Sequence, residues 1–176
     1  MDKIALIEDG TVLVSSGPLH MTIKASEKGV PLTGLARLGA DFALEILRQQ
    51  AESLSVVKQR IVGLSVDRGY PEVVNLMISS CRRINDPLLT PLAAVAGAAS
   101  DMVADYIANY NATKIVVDNG GDIAIRMKGD ESVKVGLRLN VARSEFNYTL
   151  LVNRDCGICT SGFGGRSFTL GVADGV

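Results

Sequence analysis

The order of hydrophobic periodicities predicts a mixed α+β fold in one unit. Three observations carry that expectation. Strand-like alternation surrounds an Asp9-Gly10 pair near the start, helical spacing dominates from Thr33 to about Tyr110, and alternation returns after Asn111. At 176 residues the chain is one domain's worth, long enough to bury a proper core. No internal repeat, low-complexity tract or linker divides it.

In chain order, "KIALIED" and "TVLVSS" flank Asp9-Gly10, a pair that tolerates positive φ and so signals a hairpin. "LHMTIKA" continues as a third strand. A helix is expected from Thr33, with Thr33 as N-cap and Leu35, Leu38, Phe42 and Ile46 on one face. Pro71 opens a second helix at its first turn, with Val74, Met77, Ile78 and Cys81 at i, i+3, i+4 and i+7. The Pro-marked segment "INDPLLTP" (84–91) connects it to a third, Ala-rich helix in "LAAVAGAASDMVADYIANY". Strands then follow at "KIVVD", "DIAIRM", "VKVGLRL", "YTLLV" and near "RSFTLGV".

Composition excludes several function classes. The formal net charge is −1 and Lys and Arg are scattered, which argues against a binder of nucleic acid backbones. Aromatics make up 5% with no Trp, so base-stacking platforms are scarce. No apolar run reaches the roughly 18 residues of a spanning helix, so no membrane role is expected. "MDKIALIED" has no charged-then-apolar leader. Three cysteines are an odd count, unlike a fully paired secreted scaffold, and a cytoplasmic protein is the expectation.

Five stretches could carry chemistry. "VVDNGGDIAI" (116–125) reads as a tight type I′ hairpin, yet Asp118 and Asp122 also leave carboxylates at its tip, where ribose hydroxyls or a cation could be held. "AAVAGAASD" offers small side chains that let a sheet approach closely, or leave a bare surface for a flat ligand. His20 is the only histidine, structural or a general acid/base near neutral pH. With Cys81, the Cys156-Cys159 pair and His20 form the minimum inventory of a zinc site, but without a second closely spaced pair. If 156–159 is extended, the pair spans roughly 10 Å, beyond the reach of a disulfide, and the cysteines are small apolar fillers. "TSGFGGRS" remains, where glycine N–H groups, hydroxyls and Arg166 suit an anionic ligand; it lacks P-loop spacing.

Taken in order, "PLAAVAGAASDMVADYI", "IVVDNGGDIAI", "GICTSG" and "GRSFTLGVADGV" resemble the ApbE-like superfamily, in particular its small cytoplasmic branch. The resemblance runs from about residue 86 to the end, and more weakly back through "GPLHMTI". It implies a T-fold-like single domain over 1–176, a mixed sheet with packed helices. It also implies FAD binding and, in classical members, Mg²⁺-assisted transfer of FMN to a protein Thr or Ser. Carried over, the helix motif falls on Val95 to Asp101, the turn on Gly120, Gly121 and Asp122, and the loop on Thr160, Ser161 and Gly162.

Departures accompany it. The family lysine lands on Ala96, the histidine expected after the loop is replaced near Gly165-Arg166-Ser167, and the family's metal-holding Asp and Thr would fall beyond Val176. Flavin transfer is therefore not favoured, and Mg²⁺ would need that further segment. The small branch is associated with sulfide assimilation into homocysteine, which makes Cys156 and Cys159 candidates to carry sulfur.

The resulting expectation is a site for a flavin such as FAD, or a similar nucleotide-type anionic ligand. Asn119, Gly120, Gly121, Asp122, Thr160, Ser161, Gly162, Arg166 and Ser167 would line it. His20 and Cys159 are the catalytic candidates, and no metal ligands are assigned. The alternatives are a sulfur-assimilation factor acting through a cysteine and a non-catalytic partner subunit, with a homo-oligomer or a protein partner open.

Overall fold

A computed structural model of the chain describes residues 2–137 and 145–160. Three antiparallel strands come first: β1 (Lys3–Leu6), β2 (Val12–Ser16) and β3 (Leu19–Glu27). The β1–β2 turn places Asp9 at φ 57° and Gly10 at φ 73°, the left-handed pair that Asp-Gly is chosen for. A two-residue strand, β4 (Val30–Pro31), folds back on β3.

Four helices follow: α1 (Thr33–Glu52), α2 (Leu54–Val57), α3 (Glu72–Ile84) and α4 (Val95–Ala108). The chain then returns to the sheet through β5 (Lys114–Asn119), β6 (Asp122–Met127) and, later, β9 (Cys156–Ile158). Between them, β7 (Val133–Leu137) and β8 (Tyr148–Val152) form a separate two-stranded ladder among the described strands. The main sheet runs β1-β2-β3-β5-β6-β9, with β4 beside β3. The sheet expected to be mixed is antiparallel at every described pairing.

Period-two alternation sends one set of side chains to the helices. Val12, Val14, Met21, Ile23, Ala25, Ile115, Val117 and Ala124 are buried there, in register across four strands. Helix α1 lies over β2 and β3, α4 over β5 and β6, and α3 packs on both helices. Ile125 and Ile158 are buried on the opposite face of the sheet.

Several expectations are corrected here. Thr33 is not the N-cap of α1: Leu32 precedes the helix and the Thr33 hydroxyl points to Gly10 O at 3.5 Å. The buried stripe of α1 is Ala36, Gly39, Ala40, Ala43, Ile46 and Gln50, while Leu38 is exposed. The cause is close packing. A Cβ on Gly39 would sit 2.7 Å from Ile107 Cδ1 of α4, so the helix meets its neighbour through its smallest residues. In α3 the four expected residues, Val74, Met77, Ile78 and Cys81, are all buried. Residues 156–158, not named among the expected strands, form β9, the last strand of the main sheet among the described residues. The strand expected near 166–172 lies outside the described residues. Among the described residues no helix is long and apolar enough to cross a membrane.

Candidate functional site

The β5–β6 hairpin ends in a two-residue loop. Asn119 pairs with Asp122, and Gly120 and Gly121 turn the corner at φ 68° and 100°. The loop is therefore Gly-Gly, with Asn119 at the strand end and not inside the turn. The Gly121 N–H donates to Asp118 Oδ1 at 2.8 Å, which ties that carboxylate to the turn.

Strand β9 runs along β6 with Ile158 opposite Ile123, so the next residues, Cys159 and Thr160, arrive opposite Asp122 and Gly121. The Thr160 N–H donates to Gly121 O at 3.2 Å and extends the ladder. A Cβ on Gly121 would collide with the Thr160 hydroxyl, so this approach requires glycine.

The third component is α4. Ala98, Ala99 and Ala104 are buried, and their small size lets the helix lie close to β5 and β6. Ser100, 1% exposed, donates its hydroxyl to the main-chain carbonyl of Asp122 at 2.8 Å, with Ala96 O at 3.1 Å as the alternative acceptor. Added Cβ atoms on Gly97 or Gly120 would meet no described residue within 4 Å, so among the described residues both glycines border open space. Asp101 and Asp105 hold Arg126 of β6 through its NH2 and Nε at 2.8 and 2.6 Å.

Electrostatics of the corner are acidic. Burial pushes the Asp122 carboxyl up from its ordinary range; a hydrogen bond from the Cys159 thiol pulls it down, and the Asp118 charge adds to the rise. The Cys159 thiol is pushed up in turn, by burial and then by the Asp122 and Asp101 carboxylates. Cys159 thus stays a protonated donor to Asp122 at neutral pH, the reverse of an activated sulfur nucleophile. Nor is it the buried apolar filler expected, since the residue is exposed.

The zinc inventory is not gathered. Cys81 is buried in α3, its thiol 3.4 Å from Thr90 O, while Cys156 lies on β9 opposite Ile125. All three cysteines are free. No group of three or more potential metal ligands occurs among the described residues. His20 pairs with Ser15 on the exposed face of β3, whereas Asp122 shares the helix-side face with Asn119 and Met21. Strand alternation therefore keeps the one histidine on the other face from Asp122.

Of the residues expected to line the site, Asn119, Gly120, Gly121, Asp122 and Thr160 come together. Ser161, Gly162, Arg166 and Ser167 lie outside the described residues. Ser100 and Asp101 lie within the helix motif carried over to Val95–Asp101 but were not named among the lining residues. The one serine of the Ala-rich helix was the available signal for Ser100.

A family model described as AbpE bacteria matches residues 4–176. Curated relatives are UPF0280 proteins of methanogens. That of Methanosphaera stadtmanae is 34% identical over 87 residues, covering 48% of this chain and 35% of its own. That of Methanocaldococcus jannaschii is 33% identical over 117 residues, covering 64% and 46%. That of Methanopyrus kandleri is 36% identical over 115 residues, covering 61% and 42%. The matches thus span less than half of each relative's length. They correct the resemblance drawn from the motifs: the matching family is this one and not the ApbE-like flavin transferases. Two of the motifs have backbone roles of their own here: the Gly-Gly-Asp stretch makes a hairpin loop, and Thr160 of "TSG" extends the ladder of β6. The transfer reaction and its Mg²⁺, implied only by that resemblance, do not carry over.

Proposed function

We propose that this chain, which belongs to the AbpE bacteria family, binds a small nucleotide-type ligand at the corner between α4, the Gly120-Gly121 loop and the Cys159-Thr160 end of β9. One observation carries the reading. Three segments distant in sequence are locked together by the Ser100–Asp122 and Thr160–Gly121 hydrogen bonds, beside the open space at Gly97 and Gly120. Cofactor sites bring a few convergent polar groups together in this way.

The chemistry of the described half selects which part of the ligand sits there. Asp122, on the helix-side face, is an acceptor, so it takes hydroxyls such as those of a ribose or ribityl chain, and its charge repels a bare phosphate. In this reading the anionic end lies toward the Gly120 N–H and Thr160. A flavin dinucleotide is one candidate ligand. The binding reading involves no transfer step. The alternative of sulfur chemistry at Cys159 draws no support from a thiol held in its protonated form. An intracellular setting belongs to the same proposal, in keeping with three unpaired cysteines.

The test is a thermal-shift screen with FAD, FMN, ATP and NAD, repeated with Asp122→Asn. A true ligand at a hundredfold excess over its Kd stabilises by about 2.7 kcal/mol, and Asp122→Asn weakens the response. If none of the four raises the melting temperature at millimolar concentration, the reading fails.

A further inference from the structure

The helix layer holds a second concavity, on a different stripe of α4 from the corner. It encloses about 530 Å³ between α1, α3 and α4, within the usual range for small-molecule sites. Its floor is apolar: Phe42 of α1 and Tyr106 of α4 stack with ring centroids 4.6 Å apart, beside Leu76 and Met102. One wall carries Val66, from the segment leading into α3. That segment is pinned, because the Asn75 amide bonds Asp67 N, Asp67 O and Tyr70 O at 2.9, 2.8 and 3.3 Å.

The rim gives the cleft a sign. Among the described residues its charged lining is Glu72 and Asp105, with no lysine, arginine or histidine. Asp105 is partly neutralised by Arg126 at 2.6 Å, whereas Glu72 is exposed and forms no ion pair with another described residue. An aromatic floor attracts a cation through the ring quadrupole, and a neighbouring carboxylate adds charge attraction. An anionic guest would meet repulsion from the same groups.

We propose that this cleft is a binding site for an amphipathic organic cation, a hydrophobic body on the Phe42–Tyr106 floor with its amine toward Glu72. The site is separate from the nucleotide corner and does not depend on that reading.

The test uses two probes with the same body and opposite charge, 1-naphthylmethylamine and 1-naphthylacetate, titrated into the isotope-labelled chain by NMR. The expected result is amide shifts confined to residues lining the cleft in α1, α3 and α4, with the amine preferred by on the order of tenfold. Glu72→Gln should weaken amine binding about threefold, and Glu72→Lys should reverse the preference, with the rest of the spectrum unchanged. Equal affinity for the two probes, shifts scattered elsewhere, or indifference to both Glu72 variants would overturn the proposal.

Discussion

The Ser100 hydroxyl reaches the main-chain carbonyl of Asp122 at 2.8 Å, joining the middle of α4 to the first residue of β6. Ser100 is 1% exposed, so water cannot replace the bond cheaply. Ser100→Ala should cost about 1–2 kcal/mol, read as a lower urea midpoint with an unchanged slope. A variant as stable as the parent would show that the helix is held against the hairpin by packing alone.

Gly120 and Gly121 both have positive φ but differ in surroundings. Gly120→Ala meets open space and bears only the left-handed backbone cost, about 1 kcal/mol. Gly121→Ala adds a collision with Thr160 and should lose roughly 1–3 kcal/mol. Thermal melts of the two variants, side by side, check the order.

Asp122 makes stability depend on pH in a defined direction. Its carboxyl is raised above the ordinary 3.8, chiefly by burial. Between those two values the folded chain binds more protons than the unfolded one, so this group's contribution falls as pH rises through that window. Asp122→Asn removes the effect. The variant's melting temperature minus the parent's should therefore grow from below pH 3.8 upward and level off once the carboxyl is ionised. A difference that shrinks with rising pH would mean the carboxylate is stabilised where it lies.

Cys159 should be a slow nucleophile at neutral pH. Alkylation by iodoacetamide, followed site by site with mass spectrometry, should show a midpoint above the ordinary 9.0. Removing the neighbouring charge with Asp122→Asn should bring that midpoint down and quicken the reaction at pH 7. A Cys159 that already titrates below 9.0 in the parent would reopen the sulfur-carrying reading.

Gly39 sets the distance between α1 and α4. Alanine there would crowd Ile107 Cδ1, while gaining up to about 1 kcal/mol of helix propensity. In an Ile107→Val background the crowding is relieved, so Gly39→Ala should turn stabilising. A double-mutant cycle measures the coupling directly.

Most of the β elements were legible from the sequence because their signals are local, β4 and β9 being the exceptions among the described strands. Asp9-Gly10 adopts the left-handed pair that a hairpin turn needs, and β3, β5 and β6 alternate as their residues do. The face of α3 was equally plain, since large apolar residues recur at helical spacing. The face of α1 was misread for the opposite reason: periodicity weights bulky residues, and this helix packs through Ala36, Gly39, Ala40 and Ala43. Which glycines mattered, and why, required knowing that Thr160 crosses Gly121.

By itself the sequence determined the longer elements and marked Asp122, the Gly-Gly turn and the Ala-rich helix as unusual, because φ preferences and apolar period act over a few residues. Tertiary structure decided the rest. Strand register turned Cys159 toward Asp122 and His20 to the opposite face, and helix packing delivered Ser100 to the corner. Such pairings depend on contacts between residues tens of positions apart, which local pattern does not encode.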